Sequence, residues 1–154
     1  AVSWARKMCI RDRHDFDTVF VFVRRNLLKV QESAENYLET ILILGQTQNT
    51  VRSIDIVHKL NFSKPSVSVA MKNLRQKGLI IMDSDGHIAL TESGRQIAET
   101  IYERHTVLSK MLIDLGVDPE IAADDACRME HVISSESFAA IKQHLKQRQT
   151  KENQ

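Results

Sequence analysis

Cys127, Glu130 and His131 stand at i, i+3 and i+4 in the stretch DACRMEHVIS, a spacing that sets a thiolate, a carboxylate and an imidazole on one face of a helix. One soft sulfur among nitrogen and oxygen donors suits a borderline divalent transition ion such as iron, manganese, cobalt, nickel or zinc, and affinity order alone does not choose among them. Two other segments offer partners. Asn36 and Glu39 are three residues apart in one amphipathic run, and His105 follows Glu103 and Arg104 in another. Singly, each has a plainer reading: Cys127 as a small buried apolar residue, His105 as a hydrogen-bonded core histidine, and Glu39, Glu130 and His131 as surface groups. Gathered from three helices, they would surround one or two cations.

A different chemistry is written into the charge distribution. The net charge is only +1, yet from Val51 to Leu79 six Lys or Arg, Arg52 and Lys72 among them, face a single acid, Asp55; from Ile80 onward thirteen acids outnumber eight bases. A basic segment on an acidic body fits a polyanion, because phosphate contacts release counterions. Within it, Ser63, Lys64, Pro65, Ser66, Ser68, Val69 and Lys72 fall opposite the apolar positions Val67, Met71 and Leu74. They offer hydroxyls and ammonium groups to phosphates and apolar contact to thymine methyls. No Arg, Asn or Gln points outward in the first turns to make a bidentate base contact, so part of the selection falls to DNA shape.

The elements that must carry these groups follow from periodicity and punctuation. Apolar residues predict a first helix over Glu32 to Leu44, stopped at Gly45. Ser53 is placed to cap a short second helix ending at Asn61, and Ser63 a third with Pro65 in its first turn and Gly78 at its end. Leu79 to Met82 and His87 to Leu90 flank an Asp-Gly turn and read as a two-stranded hairpin. Thr91 opens a long helix reaching about Leu115, with Ile97, Ile101, Tyr102, His105, Leu108, Met111 and Leu112 on its buried side. Pro119 opens another, from Glu120 to about Ile133. Ser134 or Ser135 caps the last, whose stripe of Phe138, Ile141 and Leu145 is the candidate dimer seam, unless it closes the core of one subunit.

The expected architecture is therefore mainly α with a small β-wing: a winged helix-turn-helix over residues 31–92, then an all-helical metal-binding and dimerisation domain over 93–145 and a polar, fraying tail over 146–154. Residues 1–30 read as a disordered or non-native extension, Lys7 to Arg13 resembling translated sequencing adapter, so Trp4, Cys9 and His14 are given no role. With 154 residues, 42% hydrophobic and 27% charged, the chain is globular rather than disordered. No apolar run approaches the roughly 18 residues of a membrane span, and two distant cysteines without a signal peptide argue for the cytoplasm.

The blocks ESAENYLETI, SKPSVSVAMKNL, LTESG, YERH and DACRMEHVIS resemble the DtxR/MntR family of iron- and manganese-dependent transcriptional repressors, from about Gln31 to Leu145. The resemblance implies a primary metal site at Asn36, Glu39, His105, Cys127, Glu130 and His131, with manganese or iron as the ion, and DNA contacts at Ser63, Pro65, Ser66, Ser68 and Val69. It implies a homodimer on a palindromic operator, metal acting as co-repressor for metal-homeostasis genes, and no enzymatic activity. Asn36 departs from both branches of the family, which carry aspartate or methionine there; Cys127 is iron-type and Glu39 manganese-type. Ser109 and Ala123 stand where iron-type members place ancillary ligands, and no SH3-like domain follows, which implies the short form. Two other readings remain: a winged-helix regulator indifferent to metal, and, with no positioned general base to support it, a small metallohydrolase.

Overall fold

The computed structural model describes residues 31–152, and the expectation for residues 1–30 lies outside them. Helix α1 spans residues 31–47. It is followed by strand β1 (Val51–Arg52), α2 (Ser53–Leu60), α3 (Lys64–Gln76), β2 (Ile80–Met82), β3 (His87–Leu90), α4 (Glu92–Asp114), α5 (Pro119–Met129) and α6 (Ser135–Glu152).

Several local signals act as their chemistry requires. Asn61 adopts the left-handed conformation (φ 53°) that ends α2, because its short amide tolerates it. Ser63 caps α3, its hydroxyl accepting from Ser66 N, and Pro65 sits in the first turn where no backbone donor is needed. Thr91 caps α4 by accepting from Gly94 N, and Asp118 caps α5 by accepting from Glu120 N and Ile121 N.

Other expectations are corrected. Gly45 does not stop α1; the helix runs on to residue 47, and its end is closed by Thr47 Oγ1 and Gln48 N donating to Leu44 O. Arg52, not Ser53, is the residue before α2, and its backbone N–H donates to the Asp55 carboxylate at 2.7 Å. The wing is not a lone hairpin: β1 pairs antiparallel with β3 (Val51 opposite Ile88), giving the order β1-β3-β2 among the described residues. That extra strand pins the hairpin to the start of α2, since an isolated two-stranded hairpin is marginal in water. Tyr102, expected on the buried side of α4, is 37% exposed. Helix α5 ends at Met129 rather than near Ile133, and the polar residues from Lys146 continue α6 to Glu152 instead of fraying before it.

The winged part closes around Tyr37, Leu38, Ile41, Leu42 and Leu44 of α1, Ile56, Val67, Met71 and Leu74 of the helix-turn-helix, Ile80 and Ile88 of the sheet, and Ala98 of α4. Each fully buried Leu, Ile or Met contributes about 1.5–3 kcal/mol of transfer free energy. Farther along α4, Ile101 and Leu108 are buried, as are Ala122 and Ala126 of α5, whose small side chains one turn apart let α5 lie close on α4. Between the two cores the wing meets α4 with no slack. A Cβ on Gly94 would stand 2.0 Å from Leu79 O, so only glycine fits where Leu79 crosses the first turn of α4. Thr91 secures the same joint by donating its backbone N–H to Leu79 O and its hydroxyl to Gly78 O.

Candidate metal centre and nucleic-acid interface

Helix α1 turns one side into the winged core and another toward the helical domain, and Glu39 lies on the second. It is only 8% exposed. His105 reaches the same place from the middle of α4, and Glu130 from the end of α5. Donor atoms of these three side chains all lie within 4.8 Å of one another. Nδ1 of His105 is hydrogen bonded to Oε2 of Glu130 at 2.9 Å. The other oxygen, Oε1, lies 3.3 Å from Nε2 of His131 without hydrogen-bonding geometry, and Glu130 is fully buried. Nδ1 of His131 is bonded to the Glu35 carboxylate at 2.8 Å.

The early end of α5 matters to this arrangement. Glu130 keeps a helical backbone (φ −59°, ψ −31°), with its N–H on Ala126 O, while Val132 N and Ile133 N both fold back onto Met129 O. Arg104 of α4 secures the chain beyond the helix end by donating from Nη1 to the carbonyls of Glu130 (3.0 Å) and Ile133 (3.4 Å). Its guanidinium also lies 5.7 Å from the centroid of Phe138, joining α6 to the same corner.

Electrostatics mark the cluster as unsettled without a cation. Burial, then the neighbouring Glu130, pushes the Glu39 carboxyl from the usual carboxylate range up to about 7, with His105 and His131 opposing. The hydrogen bond to Glu130 holds His105 above the ordinary histidine value despite burial, with help from the charges of Glu130 and Glu39. Burial raises the Cys127 thiol, and the negative charges of Glu130, Glu39 and Asp124 raise it further, so Cys127 shares the field of the site. A buried oxygen without a hydrogen bond and two carboxylates side by side are what a divalent cation would satisfy, and the donor set of carboxylates, imidazoles and a nearby thiol fits one.

Of the expected ligands, Glu39, His105 and Glu130 are brought together, and His131 adjoins them. Cys127 is half-buried nearby, outside the tight group. Asn36 is half-buried on α1, where its backbone carbonyl accepts from Thr40 Oγ1. Sequence reasoning missed Glu35, although its place one helical turn before Glu39 was available as a signal, and passed over Arg104 as a mere neighbour of His105.

The expected nucleic-acid face is on α3. Ser63, Lys64, Pro65, Ser66, Ser68, Val69 and Lys72 are all exposed, Val69 to 60%, while Val67, Met71 and Leu74 are buried beneath them. Arg52 stands apart on β1, its guanidinium donating to Nε2 of His87 in the wing at 3.0 Å. The wing turn is organised by Asp83, which accepts from the backbone of Asp85 and His87 and from Nδ1 of His87. Asp83, Asp85 and His87 bring donor atoms within 4.8 Å of one another, and of these the Asp83 carboxylate and the His87 ring are engaged in the turn's own hydrogen bonds. In α6, Leu145 is already buried within one chain (7% exposed), whereas Phe138 and Ile141 are half-buried.

A winged helix-turn-helix whose first helix also carries an acidic residue into a buried carboxylate and imidazole cluster defines the class of DNA-binding regulators, here with a candidate cation site between its parts. Residues 29–88 match the family described as iron dependent repressor, N-terminal DNA binding domain, and residues 91–153 that described as iron dependent repressor, metal binding and dimerisation domain. The transcriptional regulator MntR of Escherichia coli O6:H1 is 36% identical over 112 residues, 73% of this chain and 72% of that protein. The diphtheria toxin repressor of Corynebacterium diphtheriae is 33% identical over 106 residues, 68% of this chain and 47% of its own length. Among solved structures, a manganese-dependent transcriptional repressor in complex with manganese aligns with a TM-score of 0.68 at 28% identity, over 73% of this chain and 52% of that one. The chain thus spans about half the length of that structure and of the diphtheria toxin repressor. It belongs to the iron-dependent repressor family.

Proposed function

We propose that the protein is a transcriptional repressor of metal-homeostasis genes that binds a palindromic operator as a homodimer, with a divalent transition metal, manganese or iron, as co-repressor. The observation that carries this reading is the convergence of Glu39 from α1 with His105 and Glu130 from the helical domain. These residues, with His131, would hold the ion, and Cys127 and Asn36 are the nearest additional donors. A bound divalent cation would supply positive charge that favours the ionised form of Glu39.

The chain's own residues do the rest. Glu39 is rooted in a helix whose other side is part of the winged core, so fixing its carboxylate fixes the reading head against α4 and α5. In a symmetric dimer this sets the separation of two α3 helices, which must be about 34 Å to meet successive major grooves. Ser63, Ser66 and Ser68 would meet phosphates and base edges with Lys64 and Lys72, and Pro65 and Val69 would touch thymine methyls. Arg52 would act from the wing side. Holding Glu39, His105 and Glu130 together would thereby shift a population toward the DNA-competent geometry without any of them touching DNA. Phe138 and Ile141 keep surface to offer a partner subunit, which Leu145 does not. No catalytic role is proposed for any of these groups, and a repressor of bacterial genes acts in the cytoplasm.

Among the described residues no helix is long and apolar enough to cross a membrane. The test is to select binding sites from a random duplex pool with manganese present, then measure affinity by anisotropy with manganese, iron, cobalt and zinc and after chelation, at fixed salt. Affinity that rises with metal and falls on chelation is the expected outcome. Binding that ignores both would leave the metal-independent regulator.

A further inference from the structure

Glu130 points its two carboxylate oxygens to different partners. Oε2 is bonded to His105, while Oε1, fully buried and without a hydrogen bond, stands 3.3 Å from Nε2 of His131. Two donor atoms that share one cation at about 2.1 Å each stand about 3 Å apart. The direction in which the His131 ring presents Nε2 is therefore decisive, and it is set from the other side. The Glu35 carboxylate accepts from Nδ1 at 2.8 Å, with the Glu35 and His131 side chains only 14% and 6% exposed. A carboxylate oxygen accepts, so a proton sits on Nδ1, which leaves Nε2, beside Glu130, as the ring nitrogen that a cation would meet.

We infer that Glu35 is a positioning residue of the cation site: by holding Nδ1–H of His131 it fixes the tautomer and ring orientation that turn Nε2 toward the open oxygen of Glu130. The inference rests on the proposed cation site. Carboxylate, imidazole and metal in series is a recurrent way of orienting a histidine ligand and raising its basicity, and loss of such an outer carboxylate costs about 10–100-fold in metal affinity. Glu35 precedes Glu39 by one helical turn, so one side of α1 supplies a carboxylate to the cluster and another to its support.

The experiment is manganese titration of the full chain by calorimetry with a competing chelator, without DNA, on the wild type, Glu35→Ala, Glu35→Asp, His131→Ala and the Glu35→Ala/His131→Ala pair. Glu35→Ala should weaken manganese binding about 10–100-fold. Glu35→Asp should recover part of that loss, and Glu35→Ala should add nothing once His131 is gone. Thermal unfolding of the metal-stripped variants separates this from general damage; if Glu35→Ala unfolds, Glu35→Gln keeps the volume and still removes the charge. Tighter binding in Glu35→Ala would overturn the inference, because the carboxylate would then be competing with the ion for the ring. So would a loss that persists undiminished in the His131→Ala background. If His131→Ala itself leaves manganese affinity unchanged, the cation site as drawn fails, a result distinct from failure of Glu35 alone.

Discussion

The outer face of α3 and the cluster between α1, α4 and α5 solve opposite problems with similar side chains. On α3, the Ser and Lys residues are exposed, Ser63 and Ser66 bonded to each other at the cap, while the apolar side beneath (Val67, Met71, Leu74) holds the helix. In the cluster, Glu39 and Glu130 are buried, and burial raises the Glu39 carboxyl to about 7 against the opposing pull of His105 and His131. An exposed polar face has little to lose when unbound, whereas buried carboxylates are costly until something of opposite charge meets them. Regulation can therefore reside in the second region while specificity resides in the first.

Removing a carboxylate from the cluster is the strongest way to break that division. Glu130→Ala should lower manganese affinity by more than about 100-fold, a larger loss than that of a supporting carboxylate. Weak, salt-sensitive binding to unrelated duplex DNA should survive, and its disappearance would show that the two regions are not separable.

The next effect is on pH. In the metal-free protein Glu39 keeps its proton up to about pH 7, whereas the unfolded chain releases it near 4.5. Between those values the folded state binds more protons, so stability falls as pH rises through the window, by on the order of 3 kcal/mol at most. His105 has the same sign: its folded value is raised above 6.5, so its contribution is present below that and lost as pH rises through the folded value. Thermal unfolding of metal-stripped protein from about pH 5 to about pH 8 should show the decline, and saturating manganese should remove most of it. A flat profile without metal would mean Glu39 is not held protonated.

Smaller effects belong to α3. Ser63→Ala removes the cap and should cost about 1 kcal/mol of stability, read by urea unfolding, with manganese affinity unchanged. Lys72→Ala should reduce the slope of log affinity against log salt by about 1 per lost phosphate contact, with little change in which sequences are preferred. A change in sequence preference instead would place Lys72 on a base edge.

The same contrast explains what could be read from the sequence. Helix α3 and its limits were legible because Asn61, Ser63, Pro65 and Gly78 act through local backbone chemistry, within a few residues of themselves. The separate segments that supply Glu39, His105 and Glu130 were legible as helices, each with its own period. What lay beyond reach depends on contacts distant in sequence: the end of α5 at Met129 involves Arg104, 26 residues before Glu130, and the grip on His131 comes from Glu35, 96 residues before it. β1 is two residues long, too short for any alternation to register, and its pairing with β3 is decided by the wing. Gly45 misled because a glycine in a helix carries a modest cost that the packing of Leu42 and Leu44 offsets.

The contact of Gly94 with Leu79 gives the molecule a stiff elbow. With no room for even a methyl group, the wing is geared directly to the long helix, and a tilt imposed at one end is passed to the other without play. Adjustment must then fall to α1 and the turn after it. A bulkier side chain at this elbow would have to push the backbone of Leu79 off the long helix and so undo the gearing at its source.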